Sequence, residues 1–178
     1  PVEISMNSTN PGTILDVMLG VRINHTWPAD LTMTLIHPDG TEVTLTDHNG
    51  NGSHRDGTEV WGEGSRSCNG DLAYFSQTAT QSIIDRSKPF TGFSRPVDNL
   101  NILEGKDAAG DWTLRIVDGW AQDDGELFCA QLLLATSNPD TTEIIDSQTS
   151  MNDETAIWNL PDPFTFSGIY GFNFPQTS

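Results

Sequence analysis

Basic residues are scarce in this chain of 178 residues, which has 8 Lys and Arg against 25 Asp and Glu. The formal net charge is therefore -17 at pH 7. A field of this sign repels phosphate backbones, so we expect no nucleic acid partner. It favours cations, cationic partners or solubility in salty surroundings, and an acidic solvated surface with no binding role is the plainer interpretation.

Long apolar runs and an amino-terminal leader are also missing. The longest uninterrupted apolar stretch, around Leu132 to Ala135, is far too short to cross a bilayer, so we expect no membrane span. The sequence opens Pro1-Val2-Glu3, without Met, a basic stretch or a hydrophobic run. We expect any signal peptide to lie outside this sequence, and the protein to be secreted or extracellular.

Cysteine is nearly absent, since only Cys68 and Cys129 are present. Two cysteines exclude a Cys-based zinc site and a disulfide-rich scaffold. Two interpretations remain for the pair. A disulfide would close a loop of about 60 residues and stabilise the fold by about 4 kcal/mol in the chain-entropy model. The alternative is two buried free thiols.

Catalytic templates are missing as well. The sequence has no Ser nucleophile in a Gly-Thr-Ser context, no Gly-x-Ser-x-Gly elbow, no His-Glu-x-x-His helix and no glycine-rich phosphate loop. The spacing of the four histidines fits no metal template. These histidines are His25, His37, His48 and His54. We therefore expect no enzymatic activity and no catalytic residue in this chain.

The sequence does contain a clear period of two. Between Val17 and Ile23, and again between Leu31 and Leu35, every second residue is a large apolar one, which predicts half-buried strands. Pro38-Asp39-Gly40 then separates the second strand from Val43-Thr44-Leu45, and Asp-Gly suits a tight turn. Residues 31–46 are thus predicted to form a β-hairpin.

Two later segments are also typical of strands. Trp112, Leu114 and Ile116 share one side of a half-buried strand and are candidate core residues. Leu127 to Ala135 is apolar at both parities apart from one Gln, as in a strand covered on both faces. Within the irregular region 57–99, Gln77 to Arg86 is the candidate for one short helix. The pattern predicts an all-β fold, a jelly-roll-like β-sandwich of antiparallel strands with little or no helix.

Composition divides the chain into three parts. Residues 1–136 are expected to form the sandwich. Residues 137–156 are polar and rich in Asp, Thr and Ser, which is typical of a linker or loop. Residues 157–178 are dense in aromatic side chains, and so apolar a tail is expected to pack on the sandwich or on a neighbour.

A calcium loop is the most specific chemical pattern in the sequence. Asp47, Asn49 and Asn51, followed by Gly52, reproduce the first half of the Asp-x-Asn-x-Asn-Gly motif, in which alternate oxygens converge on the cation. Asp56 or Glu59 is the candidate for the closing carboxylate. A solvent-exposed loop rich in Asn and Gly is the alternative, and two Asn ligands in place of Asp predict modest calcium affinity.

Three further acidic residues, Asp30, Asp118 and Asp123, are candidates for metal binding or for stabilising turns. Asp30 is placed to accept backbone N–H bonds in a turn. Asp118 and Asp123 bracket a loop that their carboxylates can cap. His25 is expected to be a buried hydrogen-bonding residue.

Two blocks of sequence carry a family resemblance. The first runs from Val21 through Thr41 and contains His25-Thr26, Asp30-Leu31 and a His-Pro-Asp-Gly-Thr turn. The second comprises Pro-Phe-Thr-Gly at 89–92, then 110–118 with its alternating Trp, Leu and Ile, and Asp-Asp-Gly-Glu-Leu at 123–127. In this order they resemble the P domain (proprotein convertase P or Homo B domain) of kexin-like and bacterial secreted subtilases. The resemblance covers about residues 13–135.

The resemblance implies a non-catalytic accessory module of a secreted subtilisin-like serine protease. Such a module stabilises the catalytic domain and is expected to bind calcium or substrate. Its partner is then a catalytic protease domain in the same chain, or a protein substrate. A second function class remains open: an extracellular calcium-dependent binding, adhesion or self-assembling structural module that uses its acidic surface and its aromatic tail, for instance by strand addition.

Overall fold

The structure is a computed structural model that describes residues 1–49, 61–86, 89–120 and 125–137, together with the backbone of residues 143–150. These residues form short strands joined by turns. The strands are β1 (Val2–Ser8), β2 (Ile14–His25), β3 (Leu31–Ile36), β4 (Glu42–Asp47), β5 (Ala73–Ser76), β6 (Gly92–Ser94), β7 (Gly110–Asp118), β8 (Gly125–Thr136) and β9 (Glu143–Ser150). Single 3-10 turns span Pro28–Asp30, Ile83–Asp85 and Leu100–Leu103.

Two sheets form a β-sandwich. One sheet has the strand order β1-β7-β3-β4, and the other has the order β6-β5-β2-β8-β9. Neighbouring strands are antiparallel except β5 and β6, which pair in parallel. The prediction of an all-β sandwich with little helix is confirmed.

The core lies between the two sheets and follows the period of two. Val17, Leu19, Val21 and Ile23 of β2 are at most 2% exposed and meet buried residues of the opposite sheet. The intervening Met18 and Arg22 are also buried, at 5% and 0%, so the expectation of a half-buried strand is wrong here: β2 is covered on both faces. On β7, in the opposite sheet, the predicted core residues Trp112, Leu114 and Ile116 are 0–1% exposed. This prediction is confirmed. Interdigitating inner faces remove apolar surface from water, which is the main stabilising contribution in a sandwich.

The β3–β4 hairpin lies at the predicted position, and the geometry of its turn explains why Asp39 and Gly40 occur there. Gly40 adopts a φ of 87°, a conformation that glycine tolerates without steric cost. The amide of Gly40 donates to the carbonyl oxygen of His37 at 2.8 Å, and the amide of Thr41 donates to Asp39 Oδ1 at 2.9 Å. The Asp side chain therefore closes the turn, as in other Asx turns.

Strand β8 is buried on both faces, as its sequence predicts. Its inner face carries Leu127, Leu132 and Leu134, while Phe128 and Cys129 are 8% and 0% exposed although they lie outside the main core cluster. Of the two interpretations of the cysteines, the structure contains the disulfide between Cys68 and Cys129. This bond fastens the loop that follows Trp61 to strand β8.

The expected helix over residues 77–86 is wrong. This segment forms a single 3-10 turn, Ile83–Asp85, with Ser82 at its amino end. Its backbone bonds with a distant residue instead, because Arg95 donates to the carbonyl oxygen of Gln81 and accepts from the amide of Ile83, at 2.7 and 2.9 Å. Amide and carbonyl groups engaged by another segment are no longer available for a helical ladder.

The expectation that residues 137–156 form a linker or loop is wrong for part of this segment. Residues 143–150 form β9, which pairs with β8 from Leu134 to Glu126. A polar composition misleads here because a strand at a sheet edge is held by backbone bonds to one neighbour and needs few apolar residues. The aromatic tail, residues 157–178, lies outside the described residues. No helix in the described residues has the length and apolar character that a membrane crossing requires.

Candidate functional site at the His25 end of the sandwich

Three of the predicted acidic residues come together at one end of the four-stranded sheet. Strand β3 begins at Leu31, which pairs with Asp118 at the end of β7, and Thr32 pairs with Asp47 at the end of β4. Asp30 immediately precedes β3. The register of three neighbouring strands thus places Asp30, Asp47 and Asp118 at the same edge. The other candidates, Asn51, Asp56, Glu59 and Asp123, lie outside the described residues.

A buried histidine from the other sheet reaches this edge. His25 ends β2, its side chain is fully buried, and its Nε2 lies 3.2 Å from Asp118 Oδ2. Because an ionised carboxylate can only accept, Nε2 is the nitrogen that carries hydrogen. The second ring nitrogen, Nδ1, accepts the backbone N–H of Trp27 at 3.1 Å. His25 is therefore the buried hydrogen-bonding residue that the sequence predicts.

The His25–Asp118 pair belongs to a closed circuit of hydrogen bonds. Asp118 Oδ1 accepts the backbone N–H of Trp120 at 3.0 Å. The amide of Gly119 donates to the carbonyl oxygen of Asp30 at 2.8 Å, and the amide of Asp30 donates to the carbonyl oxygen of Trp27 at 3.0 Å. These bonds tie the turn between β2 and β3 to the turn after β7. The two blocks of the family resemblance meet here, because His25 belongs to the first and Asp118 to the second.

Asp47 makes a separate group of contacts on the exposed side of the same edge. Its Oδ1 accepts hydrogen bonds from His48 Nδ1 at 2.6 Å and from Thr32 Oγ1 at 3.0 Å. The bond from His48, followed by that from Thr32, lowers the pKa of Asp47 below its ordinary value. Asn49 turns its Nδ2 towards Thr46 Oγ1, at 3.0 Å. Asp47 is 57% exposed and therefore faces solvent as well as these donors.

These contacts bear directly on metal binding. Among the described residues, no group of three or more His, Cys, Asp or Glu side chains is placed to hold a metal ion. Asp118 is hydrogen-bonded by His25 and by the amide of Trp120, and Asp47 Oδ1 by Thr32 and His48. Asn51, Asp56 and Glu59, which complete the loop that begins at Asp47, lie outside the described residues, so calcium binding stays a prediction.

The tryptophans at this end were missed by sequence reasoning. Trp120 is 65% exposed, and Trp27 is partly exposed. Both stand in turns, outside any apolar period, and this position is the only sequence signal that distinguishes them from core residues such as Trp61 and Trp112, which are fully buried. The structure adds that both turns are anchored to the same His–Asp pair, in which His25 is buried and Asp118 is 33% exposed.

A second polar group lies at the β3–β4 hairpin and has a structural role. His37 is 4% exposed, donates from Nε2 to the carbonyl oxygen of Asp107 at 2.9 Å and packs edge-on against Trp112. Asp39 Oδ2 accepts from Lys106 Nζ at 2.6 Å. Lys106, and then Thr41, lowers the pKa of Asp39 well below its ordinary range. These bonds fix the hairpin to the loop before β7.

Comparison with known proteins gives a family match over part of the chain. Residues 14–74 match the family model of the proprotein convertase P-domain. Among solved structures, the serine protease of Aeromonas sobria, alone and in complex with its chaperone, is similar: 17% identity over 86% of this chain, with a TM-score of 0.37 in each case. This chain spans 20–21% of the length of those chains. No curated protein sequence matches it.

Proposed function

We propose that this chain, which carries a proprotein convertase P-domain, is a non-catalytic accessory domain of a secreted subtilisin-like serine protease. The family match over residues 14–74 is the observation that carries the proposal. The second block of the resemblance supports it: β7 lies outside the matched residues but pairs directly with β3, inside them. The activity, substrates and partners of the whole protein are part of this proposal, since the chain spans about a fifth of the similar proteases.

The geometry of the His25–Asp118 pair supports a structural role for these two residues. A serine protease triad uses the histidine Nε2 to take a proton from the serine, while the aspartate holds Nδ1. In His25, Nε2 faces Asp118 and Nδ1 faces the backbone of Trp27, so both nitrogens are engaged inside the protein. The side chain is also fully buried. This pair holds two turns together and has no free nitrogen for a substrate.

Secretion fits the cysteine chemistry. Disulfides persist in oxidising compartments and are rare in the cytosol of most organisms. The Cys68–Cys129 bond joins a loop to the central part of a sheet, where Cys129 is fully buried. A cross-linked accessory domain that binds only the folded catalytic domain would stabilise that domain by mass action.

Calcium binding is a separate part of the proposal and concerns the loop of residues 47–59. Its first residue, Asp47, stands at the end of β4 with 57% of its side chain exposed. Calcium that binds the folded state alone would raise the melting temperature. Millimolar Ca²⁺ should therefore raise the melting temperature of this chain more than Mg²⁺ does, and Asp47→Asn should reduce the shift. An equal response to both ions would remove calcium from the proposal.

The gene on either side of this chain provides the test of the main proposal. We expect the same open reading frame to encode a subtilisin-type domain with its Asp, His and Ser. The purified chain alone should hydrolyse no peptide substrate, and the full-length protein should hydrolyse one. If the reading frame encodes no such domain and the protein forms oligomers in calcium, the adhesion or assembly class is favoured instead.

A further inference from the structure

The five-stranded sheet carries large apolar side chains on the face that points away from the core. Residues that alternate with the core positions of β2, β5 and β8 lie on this face, because successive side chains of a strand point to opposite sides. The registers place Met18 beside Leu133 and Tyr74 beside Phe93. The rings of Tyr74 and Phe93 stack with their centroids 5.2 Å apart. With Phe128 of β8, these residues form what we call the outer apolar face.

The middle of the outer apolar face is shielded from water. Met18 and Leu133 are each 5% exposed, although neither belongs to the core cluster between the sheets. In an antiparallel sheet packed on one side only, the other face meets water and carries polar residues. Side chains that touch only their neighbours on such a face keep part of their surface in water. A further layer is therefore needed over Met18 and Leu133.

The loop after Trp61 covers one end of this face. It is fastened to β8 by the Cys68–Cys129 disulfide, and the guanidinium of Arg66 lies 5.2 Å from the ring centroid of Phe128. Leu133 is five residues further along β8, which corresponds to roughly 17 Å at about 3.4 Å per residue. Another part of the chain is therefore needed as the cover of the remaining surface.

The composition of the aromatic tail, residues 157–178, makes it the best candidate for this cover. The segments outside the described residues are 50–60, 87–88, 121–124, 138–142 and 151–178, and all but the last are short or rich in polar residues and glycine. The tail has one charged residue, Asp162, and six aromatic ones. Tyr170, Phe172 and Phe174 alternate with Gly and Asn, a pattern typical of a strand with one apolar side.

The position of β9 brings the tail to this face. Strand β9 pairs with β8 in the same sheet and ends at Ser150, opposite Glu126, two residues before Phe128. Six residues then precede the tail, and an extended chain of six residues spans about 20 Å, enough to turn back over the sheet. The path from Phe128 to Leu133 is shorter than that span. The tail can thus reach the whole outer apolar face.

We propose that residues 157–178 pack across the outer apolar face of their own sandwich, with aromatic side chains over Met18 and Leu133 and against Phe93. Phe93 is 41% exposed and stands on β6, at the opposite side of the sheet from β9. The tail is then a third layer of this fold, and the sheet is covered on both faces. This proposal concerns the folded chain and does not rest on the proposed function.

Limited proteolysis of the whole 178-residue chain by chymotrypsin tests the proposal, because this protease cleaves after aromatic residues. Phe93→Ser removes one contact of the tail. Val97→Ser is the matched control: Val97 is 38% exposed, and its amide donates to Leu45 of β4 in the other sheet. We expect the tail to be cleaved about tenfold or more faster in Phe93→Ser than in the control, since loss of an aromatic anchor weakens a contact by at least that factor and proteolysis follows the undocked population.

Two results would overturn the proposal. One is equal cleavage of the tail in Phe93→Ser and Val97→Ser. The other is a wild-type tail that is cleaved as fast as a synthetic peptide of residues 157–178. Leu133→Ser should also accelerate cleavage, but Leu133 is buried and its loss affects the sandwich as well. The variant Phe93→Ser therefore decides the test, and an unchanged far-UV circular dichroism spectrum shows that its sandwich is intact.

Protein concentration distinguishes packing within one chain from exchange between two copies. Protection of the tail should be the same at low and high concentration, and the chain should sediment as a monomer. Protection that rises with concentration, together with a dimer in sedimentation, would show that the tail covers a second copy and would contradict packing on its own sandwich.

Discussion

Removal of the Cys68–Cys129 disulfide should destabilise this domain mainly through its unfolded state. The bond joins residues 61 positions apart in the sequence. Closing a loop of this size lowers the entropy of the unfolded chain by an amount worth about 4 kcal/mol at 25 °C. A domain of ordinary stability has about 5–15 kcal/mol in total, so the loss is a large fraction of it.

Native contacts beside the bond should survive its removal. Trp61 and Ile23 exchange two backbone hydrogen bonds, at 2.9 and 3.2 Å, which hold the start of the loop against β2. Arg66 lies over the ring of Phe128, 5.2 Å from its centroid. Because these contacts remain, the folded structure should change little, and the full chain-entropy effect is an upper estimate.

The assay is equilibrium unfolding in urea of the wild type and of the double variant Cys68→Ala/Cys129→Ala. Alanine is chosen because Cys129 is fully buried, and serine would bury a hydroxyl there. We expect a loss of about 2–4 kcal/mol and a larger dependence on urea, since an uncrosslinked chain exposes more surface on unfolding. Reductant should lower the stability of the wild type and leave the variant unchanged. A loss under about 1 kcal/mol would refute the loop-entropy account.

Three further changes test local packing and charge. Gly20→Ala should cost about 1–3 kcal/mol in urea unfolding, because a Cβ there would lie 2.6 Å from Tyr74 Cε1. Trp112→Phe should cost about 1–3 kcal/mol in the same assay, because the indole N–H donates to the buried carbonyl of Ala108 at 3.0 Å. Burial raises the pKa of Asp16, so its charge disfavours folding at neutral pH. Asp16→Asn should therefore raise the melting temperature at pH 7.

The pH dependence of the last change has a definite sign. A carboxyl whose pKa is higher in the folded state than in the unfolded state binds protons on folding, so wild-type stability falls as pH rises through that interval. The advantage of Asp16→Asn should be present at pH 7 and disappear below about pH 4, near the ordinary pKa of Asp. An advantage independent of pH would contradict this origin. For Gly20→Ala and Trp112→Phe, changes within about 0.5 kcal/mol, as surface substitutions give, would be contrary results.

Much of the fold follows from local patterns in the sequence. Alternation in β2, β3 and β7 identifies strands because side chains in a strand face opposite sides in turn. The hairpin follows from Pro38-Asp39-Gly40 for a similarly local reason. Strand β1 was not predicted, although Val2, Ile4 and Met6 alternate and the last two are at most 1% exposed. Its stretch is short and has only three apolar positions.

The candidate site is harder to derive from sequence because it depends on pairing between distant residues. His25 and Asp118 are separated by 93 positions and meet only because β2 and β7 belong to facing sheets. The sequence alone can assign a polar residue near a strand end, such as Asp118, to a turn. Which partner it binds, and that Trp27 and Trp120 share that partner, requires the registers of β3 against β7 and of β2 against β8.

The thermal inactivation rate of the full-length protease, with and without this domain, tests the central proposal most directly. An accessory domain that binds only the folded catalytic domain slows its unfolding, so removal of the domain should accelerate inactivation by about tenfold or more, as a coupling of at least about 1.4 kcal/mol gives. Equal inactivation rates for the intact and the shortened protease would contradict the proposal that this P-domain stabilises its catalytic neighbour.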